Sequence, residues 1–421
     1  MSFFYFEGGL NFDRTISRIG ERGIREKERM IMKKVCRIFV MGVAILAIGL
    51  AGASYVICEN TIIAWIVLGI TVAALIILYW KKVRKRIAFV IILLLVVANV
   101  GTFHLTNKIS FLGGIISKVA APIVAQDIGK GFTLNQEETA KENALDASAE
   151  WEVPEGYDYE KINRGDYIIE TLEAQENNTG NVILQIHGGA FCRGINNSYR
   201  NLAVTFSKIG DGELVVTPDY TTSEKAPYPA ALNDCIDTYQ WILEQGYEAE
   251  DIILSGDSAG GNLVLAVTLY LRDHEMPMPG GIITMSPLTD IHFNSESCYE
   301  KAEECVLGPY FGNGKFDADT FFYTDGNGID LIDPYLSPAY GDYTGFPPML
   351  MQVGTREILL DDTRLVAEKA RLAGVDVTET EYYQMFHVFQ IIGEGKYKEA
   401  NDAWEEVRQF IGQIRVESDK N

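Results

Sequence analysis

Ser258 lies in the stretch "DIILSGDSAGG", where an apolar run precedes it and glycines surround it. The segment "GDSAG" at 256–260 fits GxSxG, a sharp turn that presents a nucleophilic serine between a strand and a helix. Such a turn needs flanking glycines, because side chains there would clash with the backbone. The stretch therefore predicts that Ser258 attacks an acyl carbonyl, with the N–H of Ala259 available to the developing oxyanion.

A serine hydroxyl is a weak nucleophile, so it needs a histidine as base and a carboxylate that orients the histidine. Of the five histidines, His387 in "MFHVFQ" follows the last predicted strand and is the expected base. In enzymes with this serine turn, the acid follows the serine in the chain and precedes the histidine. The stretch "VGTREILLDD" offers Glu357, Asp361 and Asp362. We expect Glu357, nearest the strand end, with Asp361 as the alternative.

A second glycine motif, "IHGGAF" at 186–191, also follows an apolar run. The oxyanion of a tetrahedral intermediate needs backbone N–H donors that no side chain shields. Gly188 and Gly189, together with Ala259, therefore form the predicted oxyanion hole. Side chains and backbone amides complete this chemistry, so we expect no metal and no organic cofactor.

These residues need a sheet that brings distant parts of the chain together. Short β-branched runs alternate with helical stretches, and the runs are continuously apolar, as in strands covered on both faces. The pattern predicts an α/β fold with a mostly parallel sheet and helices on both sides, whose strands carry the site at their carboxyl ends. The predicted strands are 181–189, 212–220, 251–256, 280–287, 348–355 and 375–383, and the predicted helices are 230–245, 261–273, 361–373 and 399–413.

With these motifs in view, the region from about 165 to 413 resembles the hormone-sensitive-lipase-like branch of the α/β-hydrolases. "HGGAF" is similar to the HGGG oxyanion motif of that branch, "GDSAGG" to its elbow, and "VGTREILLDD" with "HVFQ" to its acid and histidine blocks. The chain departs from the branch at Ala190, which replaces the third glycine, and at Glu357, where aspartate is more common. The resemblance implies a cap built from N-terminal helices and an insertion at about 291–345.

Charge divides the chain into two unlike parts, with a net charge of +8 up to residue 105 and of −30 beyond it. A strongly acidic part repels phosphate backbones, so we expect no nucleic-acid partner. The six cysteines do not have the spacing of a zinc site. Cys298 and Cys305 form a disulfide if the domain is exported, or remain free thiols.

Three consecutive stretches of the N-terminal part contain no Asp, Glu, Lys or Arg. Each approaches the roughly 20 residues that a helix needs to cross the hydrocarbon core of a bilayer. We therefore predict three transmembrane helices, although the stretch from Met30 also resembles a secretory signal. The predicted spans are 38–57, 62–80 and 87–103.

Lys and Arg set the orientation of these spans, because they concentrate at 14–37 and in "KKVRKR" at 81–86. Both flanks are thus predicted to be cytoplasmic, and an odd number of crossings places the later residues on the outer side of the membrane. The stretch 109–125 suits an amphipathic segment. The predicted regions are a basic cytoplasmic tail at 1–37, the membrane helices within 38–105, a linker and cap segment at 106–165 and a catalytic domain at 166–421.

Together these features predict a membrane-anchored serine carboxylic-ester hydrolase that acts through an acyl-enzyme. An exopeptidase or amidase on the same fold is the alternative, because the same triad serves both reactions. A non-catalytic membrane receptor is disfavoured, since all three triad members are present. The expected partners are a small-molecule or lipid ester substrate and, through residues 38–105, membrane lipid.

Overall fold

The predicted tail and membrane spans, residues 1–105, lie outside the part of the chain that the computed structural model describes. In the described part, no helix is both long enough and apolar enough to cross a bilayer. All described residues beyond Phe111 belong to one compact unit, Leu112–Asn421. The described residues are 109–120, 136–176, 179–317, 321, 323–324, 328–393 and 395–418.

Eight strands form one sheet in the order β1-β2-β4-β3-β5-β6-β7-β8. Strand β2 pairs antiparallel with β1 and β4, and every other pairing is parallel, which confirms the predicted mostly parallel sheet. The strands are β1 Tyr157–Asn163, β2 Ile168–Ala174, β3 Val182–Ile186, β4 Leu214–Asp219, β5 Ile252–Asp257, β6 Gly281–Met285, β7 Met349–Gly354 and β8 Val377–Tyr382.

The central strands β3, β5, β6 and β7 bury every residue, as their continuous apolar runs predict. Helices therefore cover both faces of the sheet. The helices are α1 Phe111–Ile115, α2 Gln136–Ser148, α3 Asn197–Ile209, α4 Ala230–Glu244, α5 Ala259–Asp273, α6 Glu296–Glu300, α7 Gly308–Phe311, α8 Leu360–Leu372, α9 Phe389–Gly393 and α10 Lys398–Ser418.

One face of the sheet packs against α3 and α10 in a single apolar cluster. Phe206 of α3 and Trp404 of α10 meet edge to face with ring centroids 5.3 Å apart, and both belong to the cluster that contains Ile183 and Ile253 of the central strands. Burial of such large side chains is the main stabilising contribution to a core of this kind. The central strands, whose ends carry the candidate residues, are thereby held rigidly.

The structure defines secondary structure within the predicted linker and cap segment, 106–165. That region contains α2 and also the strand β1, whose residues are exposed or half-buried at the sheet edge. No continuous apolar run marks β1, since only one of its sides meets the core. The insertion at 291–345 holds α6, α7 and the 3-10 turn Pro338–Tyr340, and several of its residues lie outside the described ranges.

Candidate active site

Ser258 occupies the turn between β5 and α5 with φ 53° and ψ −119°. This left-handed conformation is strained for a residue with a side chain. A Cβ at Gly256 would lie 2.5 Å from the carbonyl oxygen of Gly260, and one at Gly260 would lie 2.1 Å from that of Ile186. Both positions therefore require glycine, because the turn packs directly against the end of β3.

The structure brings Ser258, His387 and Glu357 into one chain of hydrogen bonds. Ser258 Oγ lies 3.0 Å from His387 Nε2, and His387 Nδ1 lies 2.7 Å from Glu357 Oε2. Both distances are within the range that proton transfer requires. Glu357 is fully buried and His387 is 6% exposed. The arrangement can take a proton from the serine hydroxyl and stabilise the imidazolium that results.

The alternative acids at the start of α8 serve other partners. Asp361 Oδ2 accepts a hydrogen bond from the Ser297 backbone N–H at 2.7 Å. Asp362 accepts from the backbone N–H groups of Thr289 at 2.8 Å and of Asp290 at 3.1 Å. These carboxylates thus fasten the beginning of the insertion to α8, whereas Glu357 alone of the three candidates contacts the histidine.

The structure differs from the prediction at Gly188. Its N–H donates to Asp257 Oδ1 at 3.1 Å and to the Tyr199 hydroxyl at 3.0 Å, so it is already occupied. Within the described residues, the N–H groups of Gly189, Ala190 and Ala259 have no acceptor. Those three groups are therefore the donors left free to bind an oxyanion.

Comparison with known proteins supports the α/β-hydrolase fold and the esterase class. Residues 183–391 match a family model described as the alpha/beta hydrolase fold. An esterase of Acinetobacter venetianus is 37% identical over 249 residues, which are 59% of this chain and 80% of that protein. The chain belongs to the α/β-hydrolase family. An acetyl-hydrolase of Streptomyces hygroscopicus is also 37% identical, over 213 residues that cover 50% of this chain and 68% of the relative.

Solved structures place this α/β-hydrolase near bacterial esterases. The crystal structure of an esterase from the bacterial hormone-sensitive lipase family superposes with a TM-score of 0.60 at 28% identity, covering 70% of this chain and 97% of that one. An esterase/lipase from an uncultured bacterium gives the same TM-score and identity and is covered over 98% of its length. The predicted resemblance to this branch is confirmed, and the protein is a carboxylesterase-type hydrolase.

In this hydrolase, Ser286 supports the acid. Its hydroxyl donates to Glu357 Oε1 at 2.8 Å, and the Gly354 N–H donates to the same oxygen at 2.6 Å. Ser286 Oγ also accepts from the backbone N–H of Val388 at 3.3 Å. Both carboxylate oxygens are thus engaged, which fixes the orientation of the carboxylate toward His387. In the sequence, the only mark of Ser286 is its place at the start of "SPLTD", directly after β6 and at the same edge of the sheet as the other site residues.

The turn after β3 is held by residues that are far away in the sequence. Ala190 and Phe191 both have positive φ, at 51° and 60°. The Phe191 carbonyl accepts from the Ser223 N–H at 2.8 Å, and Asn143 Nδ2 donates to the Cys192 carbonyl at 2.8 Å. Asn143 Oδ1 in turn accepts from the Gly194 N–H at 3.2 Å. The sequence carries no local signal for Asn143, because it lies in the polar helix α2.

Two buried titratable groups pack behind the turns of the site. Burial raises the pKa of Asp257 to about 6, and its Oδ2 accepts a hydrogen bond from Tyr199 at 3.0 Å. Burial lowers the pKa of His187, whose ring stacks on Tyr220 with centroids 4.1 Å apart. His187 is thus neutral, and it packs behind the turn after β3 instead of acting as a base.

All four cysteines in the described part of the hydrolase are free and buried. Cys298 and Cys305 are therefore thiols, and the disulfide considered for them is not formed. Burial raises the pKa of each of these two thiols to about 12, which keeps them protonated and unreactive at neutral pH. Among the described residues, no group of three or more His, Cys, Asp or Glu side chains could hold a metal ion.

Proposed function

We propose that this carboxylesterase-type hydrolase cleaves esters through an acyl-enzyme on Ser258, with His387 as base and Glu357 as the orienting acid. The single observation that carries the proposal is the hydrogen-bonded chain from the Ser258 hydroxyl through both ring nitrogens of His387 to a buried carboxylate. A nucleophile, a base and an orienting group in this order are the requirement for acyl transfer by a serine.

In the first half of the reaction, Ser258 Oγ attacks the ester carbonyl carbon and its proton passes to His387 Nε2. The tetrahedral intermediate collapses, the bond to the leaving alkoxide breaks, and His387 returns the proton to the departing alcohol. In the second half, water attacks the acyl-serine carbonyl carbon and gives its proton to His387 Nε2. The bond between the acyl carbon and Ser258 Oγ then breaks, His387 returns the proton to Ser258 Oγ, and the carboxylic acid leaves. Glu357 stabilises the imidazolium that forms in both halves.

We also propose that Gly189, Ala190 and Ala259 supply the oxyanion donors, in place of Gly188. The proposal is supported by the hydrogen bonds that occupy the Gly188 N–H and by the position of the two glycine turns. A Cβ at Gly260 would lie 2.6 Å from the carbonyl carbon of His187, so the turn after β3 touches the serine elbow. Ala190 keeps the backbone donor of the third glycine that it replaces.

We propose neutral esters as substrates, of small molecules or of lipids. The charge of −30 beyond residue 105 disfavours polyanionic substrates. Similarity to an acetyl-hydrolase supports a preference for short acyl groups. The proposed anchor is the three uncharged spans within 38–105, and the charge distribution around them supports a catalytic domain on the outer side of the membrane.

The proposed chemistry is tested by Ser258→Ala in the full chain, assayed with p-nitrophenyl esters of two, four and eight acyl carbons. We expect the variant to lose hydrolysis of every ester and to lose labelling by a fluorescent phosphonate. Ser148→Ala, at the exposed end of α2, is the matched control and should keep both. Full esterase activity in Ser258→Ala would overturn the proposal. Faster cleavage of the matching anilides than of the esters would instead favour an amidase.

The proposed location is tested by Leu372→Cys in a Cys58→Ser parent, because Cys58 lies in the link between the first two predicted spans, on the proposed outer side. Leu372 is 82% exposed, and the described cysteines are buried. A membrane-impermeant maleimide should label this variant in intact cells and should label the parent chain much less. Labelling of the variant only after permeabilisation would place the catalytic domain on the inner side and contradict the proposal.

A further inference from the structure

We propose that Ser117 is a positioning residue. It holds together the loop after β7, which carries Glu357, and the loop after β8, which carries His387, from outside the α/β core. The inference rests on the proposed function, since it assigns Glu357 and His387 their catalytic roles. Ser117 lies in the π-helical turn Ile116–Ala120, in the segment 112–120 that follows the proposed membrane anchor. The stretch belongs to the predicted linker and cap segment, 106–165.

Ser117 makes hydrogen bonds to both loops at once. Its hydroxyl donates to the Gln384 carbonyl at 2.5 Å and accepts from Arg356 Nη1 at 2.8 Å. The Ser117 carbonyl accepts from the same guanidinium nitrogen, also at 2.8 Å. Arg356 directly precedes Glu357, and Gln384 lies three residues before His387. A single side chain, 1% exposed, thus joins the two loops whose end residues form the acid and histidine pair.

The loops need such support because the histidine lies between two strained residues. Gln384 and Val388 have φ values of 61° and 54°, in the left-handed region that non-glycine residues occupy only at an energetic cost. Surrounding contacts must therefore hold them in place. The loops also meet directly through hydrogen bonds that include those from the Gln384 N–H to Thr355 Oγ1 and from the Arg356 N–H to the Met385 carbonyl. Ser286 joins Glu357 to the Val388 N–H from the end of β6, and Ser117 adds a second link from a more distant part of the chain.

The burial of Arg356 makes the contact specific. Its side chain is 13% exposed, and its other charged contact is Glu304, with Nε 3.5 Å from Oε2. Without the Ser117 hydroxyl, the nearly buried guanidinium loses one of its two acceptors on this segment and keeps only the Ser117 carbonyl, while the Gln384 carbonyl loses its donor. Loss of buried hydrogen-bond partners is destabilising. The loop would move to restore those bonds, and Glu357 is the next residue along the chain.

The test compares full-length Ser117→Ala and Ser117→Thr in detergent, with the concentration of competent enzyme set by phosphonate titration. Removing the hydroxyl should lower kcat about tenfold and leave KM within about twofold, because a small displacement of the pair affects the transition state more than ester binding. The threonine variant keeps a hydroxyl and should recover most of kcat. Arg356→Lys, which keeps the charge beside Glu304, should lower kcat by a smaller factor, about threefold.

Thr238→Val is the matched control. Thr238 is buried in α4, and its hydroxyl donates to the Asp234 carbonyl at 2.8 Å and lies 3.1 Å from the Tyr167 hydroxyl. The Thr238→Val variant therefore loses as many hydroxyl contacts as the Ser117→Ala variant. Its kcat should stay unchanged even if its melting temperature falls. Equal kcat in Thr238→Val and Ser117→Ala, or equally low kcat in both Ser117 variants, would overturn the inference.

Ser258→Ala in the same assay separates this inference from the proposed function. Loss of activity there, with unchanged kcat in Ser117→Ala, would remove only the positioning role of Ser117. Retained activity in Ser258→Ala would remove the proposed function itself. Should Ser117→Ala fail to fold, Arg356→Lys decides: a lowered kcat supports the inference and an unchanged kcat contradicts it.

Discussion

The turns after β5 and after β3 both hold non-glycine residues at positive φ, but they are stabilised by different parts of the chain. Ser258 relies on glycines two residues away on either side, Gly256 and Gly260, which leave room for the backbone to pass. Its conformation is therefore encoded within five consecutive residues. A short motif is enough to reveal it.

The turn after β3 has no such local explanation. Ala190 and Phe191 keep their positive φ through hydrogen bonds from Asn143 and Ser223, which lie more than 30 residues away on either side. Its conformation depends on α2 and on the segment after β4. One half of the site is therefore encoded by neighbouring residues, whereas the other half forms only when the domain is assembled.

The largest effect should come from breaking the locally encoded turn with Gly260→Ala. The new Cβ would lie 2.1 Å from the Ile186 carbonyl oxygen, and backbone atoms cannot yield that far, so we expect loss of the folded protein and of all esterase activity. Gly412→Ala in α10 is the control, because nothing lies within 4 Å of its Cβ position. It should be neutral or slightly stabilising. Folded yield and hydrolysis rate measure both.

The next largest effect is expected at the acid, where a substitution leaves the serine elbow intact. Glu357→Gln keeps the size of the side chain but removes the charge that stabilises the imidazolium, so kcat should fall roughly a thousandfold or more. Asp361→Asn, the rival acid, should change kcat little, since that carboxylate binds the Ser297 N–H and Arg364. A larger loss in Asp361→Asn than in Glu357→Gln would contradict the assignment of the acid.

A smaller effect is expected from loosening the turn after β3. Asn143→Ala removes both the donor to the Cys192 carbonyl and the acceptor for the Gly194 N–H. The oxyanion donors should then be less well placed, and kcat should fall about tenfold at nearly constant KM. Asn201→Ala, which loses one exposed bond to Trp151, is the control and should keep kcat. An unchanged kcat in Asn143→Ala would show that this turn, too, is locally stable.

The smallest effect on rate, and a distinct effect on stability, is expected at Asp257, which joins the two turns. Burial raises its pKa in the folded state to about 6 from 3.8. The folded protein therefore holds this proton more tightly than the unfolded chain, so the contribution of Asp257 to stability falls as pH rises from about 4 to 6. This difference in pKa between the folded and unfolded states corresponds to about 3 kcal/mol in the free energy of unfolding.

Asp257→Asn should remove that pH dependence while an amide oxygen still accepts from the Gly188 N–H. The measurement is the free energy of unfolding from urea titrations at pH 4, 5, 6 and 7, compared between the variant and the parent protein. The parent should lose stability relative to the variant across this interval. Parallel curves for the two proteins would show that Asp257 has the same pKa folded and unfolded.

Most of the parallel sheet could be predicted from the chain, because buried strands need continuous apolar runs. The strands β3 to β8 and the helices α4, α5, α8 and α10 follow the predicted segments closely. The strands β1 and β2 and the helix α3 were not predicted. An edge strand such as β1 has one exposed side, so its composition is polar and its pattern is weak.

The residues of the candidate site could likewise be predicted only in part from the sequence. Ser258 and His387 follow from residue type and place in the chain, since few histidines were available. The choice of Glu357 over Asp361 depends on which carboxylate reaches the ring, and the distance of 2.7 Å to Glu357 decides it. Which N–H groups of the turn after β3 remain free depends on the acceptors of the Gly188 N–H. These acceptors are Asp257 and Tyr199, whose positions only the structure gives.

The amino-acid sequence alone was enough to predict the elbow around Ser258 and the positions of the buried strands along the chain, because glycine sterics and apolar runs act between neighbours in the chain. The tertiary structure alone decided which amides are free beside the serine, which carboxylate meets His387 and how Ser117 joins the loops behind it. Those contacts link residues that are tens to hundreds of positions apart. Their geometry exists only once the sheet has brought the loops to one edge.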